Sequence, residues 1–231
     1  MKQEKNYQLL FQYPTRGRRE KFFNTLDEYY KKIKGENFIF HVVIDDDDEE
    51  MNKVEVLDRI REYKYMHITH SRHANKIIAC NDMTLINKIN NYKWDIVICC
   101  SDDMMPIVDG FDNVIRAIMR DYFPDTDGVL WFNDGFQRKR LNTLPIIGRN
   151  YYDRFGYIYY WGYKNIYCDA EFTEVSKILN KCVYFDDIII KHEHPETNSS
   201  IVWDETYKRG EKYNEGDRIL FEARKKKNFD L

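Results

Sequence analysis

At 231 residues the chain has the length of one α/β domain, or of one domain with a short appendage, and not of two independent domains. Its 43% hydrophobic and 16% aromatic content lets it bury about 70% of its unfolded surface, which rules out disordered, collagen-like and disulfide-scaffold classes. With 36 basic and 39 acidic residues the net charge is −3, which argues against a general nucleic-acid binder but leaves room for a local basic pocket.

Short apolar runs alternate with segments of helical period, the pattern of a mostly parallel sheet flanked by helices. Gln8–Tyr13 reads as a first strand, ended by Pro14-Thr15-Arg16-Gly17-Arg18, since proline cannot continue a ladder and glycine permits the bend. Phe22, Phe23, Leu26, Tyr29, Tyr30 and Ile33 predict a helix over residues 20–33, stopped at Gly35. Phe38–Ile44 is almost wholly apolar, as a strand buried on both faces requires, and runs into the acidic stretch Asp45–Glu50. A helix over 54–63 and a brief strand at 67–69 follow, then a loop with Ser71-Arg72-His73. Residues 74–90 read as one helix, and Trp94–Cys100 as a central strand ending in Ser101-Asp102-Asp103. After Met104-Met105-Pro106 come a helix over 109–121 and a strand over 128–132 that ends in Asn133-Asp134-Gly135. Residues 142–163 lack a clean period and read as a loop-rich aromatic wall over a pocket. A helix over 171–179, a last strand over 182–190 ending in His192-Glu193-His194-Pro195, and a helix at 213–227 within the final stretch from Trp203 complete the chain.

The five cysteines, Cys80, Cys99, Cys100, Cys168 and Cys182, form no CxxC pair. They read as reduced core residues and offer zinc no paired ligands. The opening MKQEKNYQLL has no apolar leader, and no run reaches the ~18–20 apolar residues that span a bilayer. The expectation is a soluble, cytoplasmic protein of a reducing compartment, with no nucleic-acid partner and no transmembrane segment; its oligomeric state is left open.

In open α/β sheets ligands bind beyond the carboxyl ends of the strands. Those ends carry the arginine-rich turn at 14–18, carboxylates at 45–48 and 102–103, Asp134, and histidines at 192 and 194. Carboxylates and imidazoles suit a divalent cation and guanidinium groups suit phosphate oxygens, so the set fits a metal and a phosphorylated ligand. Neither GxxxxGK[ST] nor GxGxxG occurs, and no GxSxG is present for a serine hydrolase. Each group also has a plainer reading. Asp45–Glu50 and Arg16, Arg18 and Arg19 can be solvated turns, Asp102-Asp103 and Asp169 helix caps, and the two histidines a pair split across a strand end.

Five segments taken together resemble a known family. They are Tyr13-Pro14-Thr15-Arg16-Gly17-Arg18, Ile44-Asp45-Asp46-Asp47, Cys100-Ser101-Asp102-Asp103-Met104, Tyr167-Cys168-Asp169-Ala170-Glu171-Phe172 and His192-Glu193-His194-Pro195. In order and spacing, over roughly residues 8–195, they resemble the nucleotide-sugar-dependent glycosyltransferases of GT-A fold, in particular the inverting family 2 type. The resemblance implies a three-layer α/β/α sandwich with a mostly parallel central sheet, with residues 1–200 as catalytic domain and 201–231 as a helical appendage packed on it. It implies transfer of a sugar from a UDP- or GDP-sugar donor to a hydroxyl of a glycan or other acceptor, with Mn²⁺ or Mg²⁺. Carried onto this sequence, it implies that Thr15 and Arg16 border the nucleotide, Asp46 meets the base, and Arg72 or Lys76 lies near base or diphosphate. Asp102 would reach the ribose, Asp103 the metal, and His194 or His192 would complete the metal site. Asp169 would be the base that takes the acceptor's proton, with Glu171 in reserve. The pattern departs from the family at Cys100, which stands where the first of three carboxylates is common. Two other readings remain: a nucleotide-sugar- or glycan-binding module without turnover, and a nucleotidyltransferase, against which the single glycine of the first loop tells.

Overall fold

The computed structural model describes residues 6–89, 93–194, 208 and 210–231. Pro195 and Trp203 of the sequence reading, and the expected helix end at Asn90, lie outside the described residues. The strand β1 (Leu9–Thr15) lies inside a seven-stranded sheet, third from one edge. It pairs in parallel with β2 (Phe38–Asp45) on one side and with β4 (Ile96–Cys99) on the other. β3 (Met66–Ser71) extends the parallel set beyond β2. β7 (Ile146–Gly148) runs antiparallel between β4 and β6 (Val129–Phe132), and β8 (Cys182–Phe185) closes the far edge, parallel to β6.

Alternation along β1 explains the layers, because successive side chains point to opposite faces of a strand. Leu9, Phe11 and Tyr13 enter one apolar core, built with α1 (Arg19–Lys32), α2 (Val54–Arg61) and α5 (Phe111–Tyr122). Leu10 enters the other core, built with α3 (Lys76–Asn81), α4 (Thr84–Lys88), α6 (Arg149–Tyr152), α7 (Cys168–Ile178) and α8 (Asn214–Lys226). The expected three-layer α/β/α sandwich with a mostly parallel sheet is therefore the architecture observed. All five cysteines are unbridged, and four of them are buried. No helix among the described residues is long and apolar enough to cross a membrane.

Four local expectations are corrected. β1 does not stop at Pro14, which pairs in register with Val43. Gln12 turns its carbonyl to β4, where it accepts from the Cys100 N–H at 2.8 Å. Pro14 shares that parity, so the donor it lacks would point past the end of β4, where no ladder bond is lost. The single helix over 74–90 is two, α3 and α4, because the Asp82 carboxylate turns back to accept the Thr84 N–H at 3.0 Å and the Asp82 carbonyl accepts from Gln12 Nε2 at 3.0 Å. The stretch 142–163 is not all loop, since it holds β7 and α6. Finally, residues 182–190 are not one strand. β9 (Ile190–His192) leaves the main sheet and pairs antiparallel with β5 (Met104–Pro106), a strand that apolar patterning over three residues is too short to announce.

Candidate active site

From β1 the chain steps out to β2 and β3, and it then returns to β4 on the other side of β1. The crossovers diverge at that point, which makes the carboxyl ends of β1 and β4 the topological switch point where open α/β sheets form their ligand crevice. Thr15-Arg16-Gly17-Arg18 forms one lip and Ser101-Asp102-Asp103 the other. The lips are tied together: Thr15 Oγ1 donates to Asp102 Oδ2 at 3.3 Å, and Thr25 Oγ1 of α1 donates to the Asp102 carbonyl at 2.9 Å. Asp102 Oδ1 is buried without a hydrogen-bond partner among the described residues, and burial pushes the carboxyl up to about 7.

Asp103 is the centre of the cluster. The Ser101 hydroxyl donates to its Oδ1, Arg18 Nη1 stands 3.6 Å from its Oδ2, and His192 Nε2 stands 4.0 Å from its Oδ1. Burial pushes this carboxyl up, but His192, Lys76, Ser101 and Arg18 outweigh burial and hold it well below the usual carboxylate range. The β5–β9 pairing delivers His192, which lies opposite Met104, and the Glu193 N–H donates to the Asp103 carbonyl at 2.7 Å. Behind it, His192 Nδ1 lies 3.6 Å from Asp134 Oδ2. Asp134 is fixed in turn by the N–H groups of Phe136, Gln137 and Arg138 at 2.8, 2.7 and 3.0 Å and by the Thr143 hydroxyl at 2.7 Å. His194 lies flat on Phe136, ring centroids 4.7 Å apart.

Asp169 stands half-buried in the first turn of α7. Its carboxyl is raised, chiefly by burial, against the charges of Lys76 and His192, and its Oδ1 accepts the Ala170 N–H at 2.9 Å. Lys76, exposed at the start of α3, thus acts on both Asp103 and Asp169. Arg18, Lys76, Asp102, Asp103, Asp169 and His192 share one neighbourhood.

The acidic end of β2 is a different object. Arg16 Nη1 binds Asp45 and, at 2.5 Å, Asp47. The His73 side chain, 3% exposed, lies between Asp45 at 2.6 Å and Asp82 at 3.0 Å, and these two carboxylates raise the imidazole to about 9. Asp48 is buried and accepts the N–H groups of Gly17 at 2.8 Å and of Glu50 and Met51 at 3.1 Å. Asp46, half-exposed, holds Arg72 Nε at 3.2 Å. Arg16 is therefore spent on the Asp45–Asp47 pair, and Arg18 is the arginine that reaches Asp103.

Glu171 also changes role. Its Oε2 accepts from Arg224 Nε at 2.7 Å and from the Tyr163 hydroxyl at 2.8 Å, and its Oε1 accepts from Arg224 Nη2 at 2.9 Å. Both oxygens of this buried carboxylate already accept hydrogen bonds and it is ion-paired with Arg224, an engagement that tells against its reading as a reserve base. Cys100 cannot replace the missing first carboxylate, because burial pushes its thiol up to about 12 and leaves it neutral. The aromatic run 151–163 is chiefly core, with Tyr151, Tyr152, Tyr159 and Tyr163 buried and Trp161 exposed. Sequence reasoning missed His73 and Ser101 as members of these clusters, and it placed Arg18 and Asp134 at strand ends without assigning either a specific partner. His73 and Ser101 each stand beside a residue it did select.

Among the described residues no three His, Cys, Asp or Glu side chains converge to hold a metal ion. Asp103 and His192 do offer one oxygen and one nitrogen 4.0 Å apart. Mg²⁺ in nucleotide sites is usually held by one or two protein groups plus phosphate oxygens and water. The donor set thus fits a cation that arrives with a diphosphate.

No family model matches the chain, and no curated protein is similar to it in sequence. Solved structures are similar in fold. The mannosyltransferase PcManGT from Pyrobaculum calidifontis, in complex with GDP-Man and Mn²⁺, matches 84% of this chain and 59% of that one, with TM-score 0.62 and 14% identity. TarS 1–349 from S. aureus, in complex with UDP-GlcNAc, matches 87% of this chain and 63% of that one, with TM-score 0.59 and 12% identity. Its complex with UDP matches 82% and 61%, with TM-score 0.61 and 12% identity. The fold is GT-A-like. The chain spans about three fifths of the length of these structures.

Proposed function

We propose that this chain is a glycosyltransferase module that moves a sugar from a UDP- or GDP-sugar to a hydroxyl of a glycan or other acceptor, with inversion and with a divalent cation. The reading is carried by one observation: Arg18, Lys76, Asp102, Asp103, Asp169 and His192 gather where β1 and β4 end in a GT-A-like fold. The nucleotide-sugar and Mn²⁺ complexes of the similar structures support it.

In this reading Thr15 and Asp102, bonded to each other, lie toward the ribose, and the exposed Asp46–Arg72 pair meets the base. Arg18 and Lys76 hold diphosphate oxygens. A Mn²⁺ or Mg²⁺ shared by Asp103 and His192 would offset the charge that grows on the departing diphosphate. Asp169 takes the proton of the attacking hydroxyl on Oδ2, since Oδ1 already accepts the Ala170 N–H. Burial makes this carboxylate a stronger base than an ordinary one, and the Lys76 and His192 charges act against that rise. The new bond forms from the acceptor oxygen to the anomeric carbon, and the bonding pair of the old one leaves on the diphosphate.

A melting panel with UDP, GDP and CDP, each with and without Mn²⁺, identifies the donor base. A nucleotide at 100 times its Kd raises stability by about 2.7 kcal/mol. Asp169→Asn is expected to keep that shift and lose transfer by ~10²–10⁴-fold, the usual range for a general base. Absence of any nucleotide-dependent shift, or transfer by Asp169→Asn equal to wild type, overturns the proposal. A shift without turnover of any donor favours the binding-module reading instead.

A further inference from the structure

We propose that α8 is the part that sets the position of the Asp169 carboxylate, with Arg224 and Asp217 as its positioning residues. This rests on the reading of Asp169 as base. The sequence places α8 last, far along the chain from every strand end of the crevice, and nothing in its composition marks it as more than a covering helix.

Three residues on one face of α8, Asp217, Phe221 and Arg224, stand four and then three positions apart, and all are buried. Each grips a different point of the segment that leads into α7. The Asp217 carboxylate accepts three successive backbone N–H groups, those of Lys164 at 3.1 Å, Asn165 at 2.8 Å and Ile166 at 3.0 Å. The Phe221 ring lies against that of Tyr167, centroids 5.3 Å apart. The Arg224 fork closes on Glu171 through two hydrogen bonds of 2.7 and 2.9 Å, while its plane lies 3.5 Å over the Tyr160 ring. The segment from Lys164 to Glu171 is held at both ends, and Asp169 stands two residues from the second grip.

Between the grips Tyr167 has φ +64°, a left-handed conformation that costs a residue with a Cβ of this size something to keep. Such a conformation persists where its surroundings over-determine it, and α8 supplies those surroundings. A helix that only covered the core would need an apolar stripe. This one buries an aspartate and an arginine, groups that lose hydration on burial and recover it only in a fixed geometry. An apolar contact can slide by an ångström, whereas a two-bonded guanidinium–carboxylate pair cannot. Asp169 itself accepts the Ala170 N–H on Oδ1 and feels the charges of Lys76 of α3 and His192 of β9, while among the described residues none of α8 bonds it. The α8 grips thus act on the segment that carries Asp169 and not on its carboxylate.

The test follows the Asp169 carboxyl by ¹³C NMR across pH in the full chain, and in parallel the kcat and KM for UDP-GlcNAc and GDP-mannose. Arg224→Met replaces the fork by an apolar side chain of similar length, and Arg224→Lys restores charge without the two-bonded geometry. Lys225→Ala removes the exposed Lys225–Glu174 pair between the same two helices, 2.7 Å long, and serves as control. With helix content intact, Arg224→Met is expected to move the Asp169 titration on the order of one pH unit. It should also lower kcat by about 10²-fold with KM for the donor unchanged, the scale of an ångström's misplacement. Arg224→Lys should recover little of this, and Lys225→Ala should show neither change. If Arg224→Met unfolds the chain, Asp217→Asn carries the same test, since it loosens the first grip and leaves the ion pair. A folded Arg224→Met or Asp217→Asn protein whose Asp169 titrates as in wild type overturns the proposal, whatever its activity. A shifted Asp169 in a chain that turns over no donor leaves the clamp standing and removes the base.

Discussion

Two strands end in acidic runs that look alike in sequence, Asp45–Asp48 after β2 and Asp102-Asp103 after β4, yet they are built for different tasks. At the end of β2 each carboxylate has its own partner: Arg16 for Asp45 and Asp47, His73 for Asp45, Arg72 for Asp46, and backbone N–H groups for Asp48. Charge there is settled locally, and the run acts as a latch between β2, the β1 turn and the Asp82 break. At the end of β4 the partners are shared rather than paired. Asp102 is buried with an oxygen left over, and Asp103 lies among Arg18, Lys76 and His192, two of which also act on Asp169. A cluster that mixes buried carboxylates with Arg18 and Lys76, and leaves one acid oxygen unsatisfied, has polar groups still open to a ligand, which the latch does not.

The largest effect expected from this contrast lies at Asp103. Asp103→Ala should remove the Mn²⁺-dependent part of the nucleotide melting shift and lower donor turnover by about 10²–10³-fold, the scale of losing one preorganised electrostatic group. Equal retention of both would break the contrast, since Asp103 would then be as dispensable to chemistry as the latch carboxylates.

Next comes a pair of histidines on the latch side whose pH effects oppose one another. The Asp45 and Asp82 carboxylates raise His73 from its ordinary 6.5 to about 9. Its contribution is therefore complete below pH 6.5 and fades as pH rises through 9, by up to about 3 kcal/mol. His41, buried between Gln12 at 2.7 Å and Thr69 at 2.8 Å, is lowered by burial to about 4. Its contribution is complete above pH 6.5 and is lost as pH falls through 4, again by up to about 3 kcal/mol. Thermal melts from pH 4 to 10 should peak near neutrality, with His73→Gln flattening only the alkaline limb and His41→Gln only the acid one. Below these, Arg16→Ala should cost about 1–2 kcal/mol in urea unfolding by releasing Asp45 and Asp47, with nucleotide binding reduced far less than in Asp103→Ala.

The main elements were legible because their signals are strong: the apolar run of β2 and the helical period of α1 come within a residue of their observed bounds. The errors arose where a long-range contact outweighed local pattern. The break at Asp82 depends on Gln12 of β1 and on His73, neither visible in the period of 74–90. β5 and β9 are three residues each, and their pairing alone carries His192 to Asp103. In the site, residue types at strand ends pointed to Asp102, Asp103 and His192, and the family resemblance pointed to Asp169 and Lys76. Which carboxylate is already engaged was beyond sequence: Glu171 stands two residues from Asp169, and only Arg224, 53 positions on, separates their roles.

The smallest effect expected is at Arg72, and it sharpens the comparison from the other side. Arg72 and Asp46 are an exposed pair, with side chains 76% and 47% accessible, so water screens their attraction and both side chains lose rotamer freedom to hold it. Arg72→Ala should move the melting midpoint by less than an amount equivalent to about 0.5 kcal/mol. If Asp46 and Arg72 meet the base, nucleotide discrimination should still change, so that UDP and GDP shifts converge although stability does not. A large loss of stability would make Arg72 part of the latch. A loss of discrimination alone would mean that the outer end of the same acidic run, unlike Asp45 and Asp48 beneath it, belongs to the crevice, because solvent access leaves Asp46 and Arg72 free to exchange each other for a ligand.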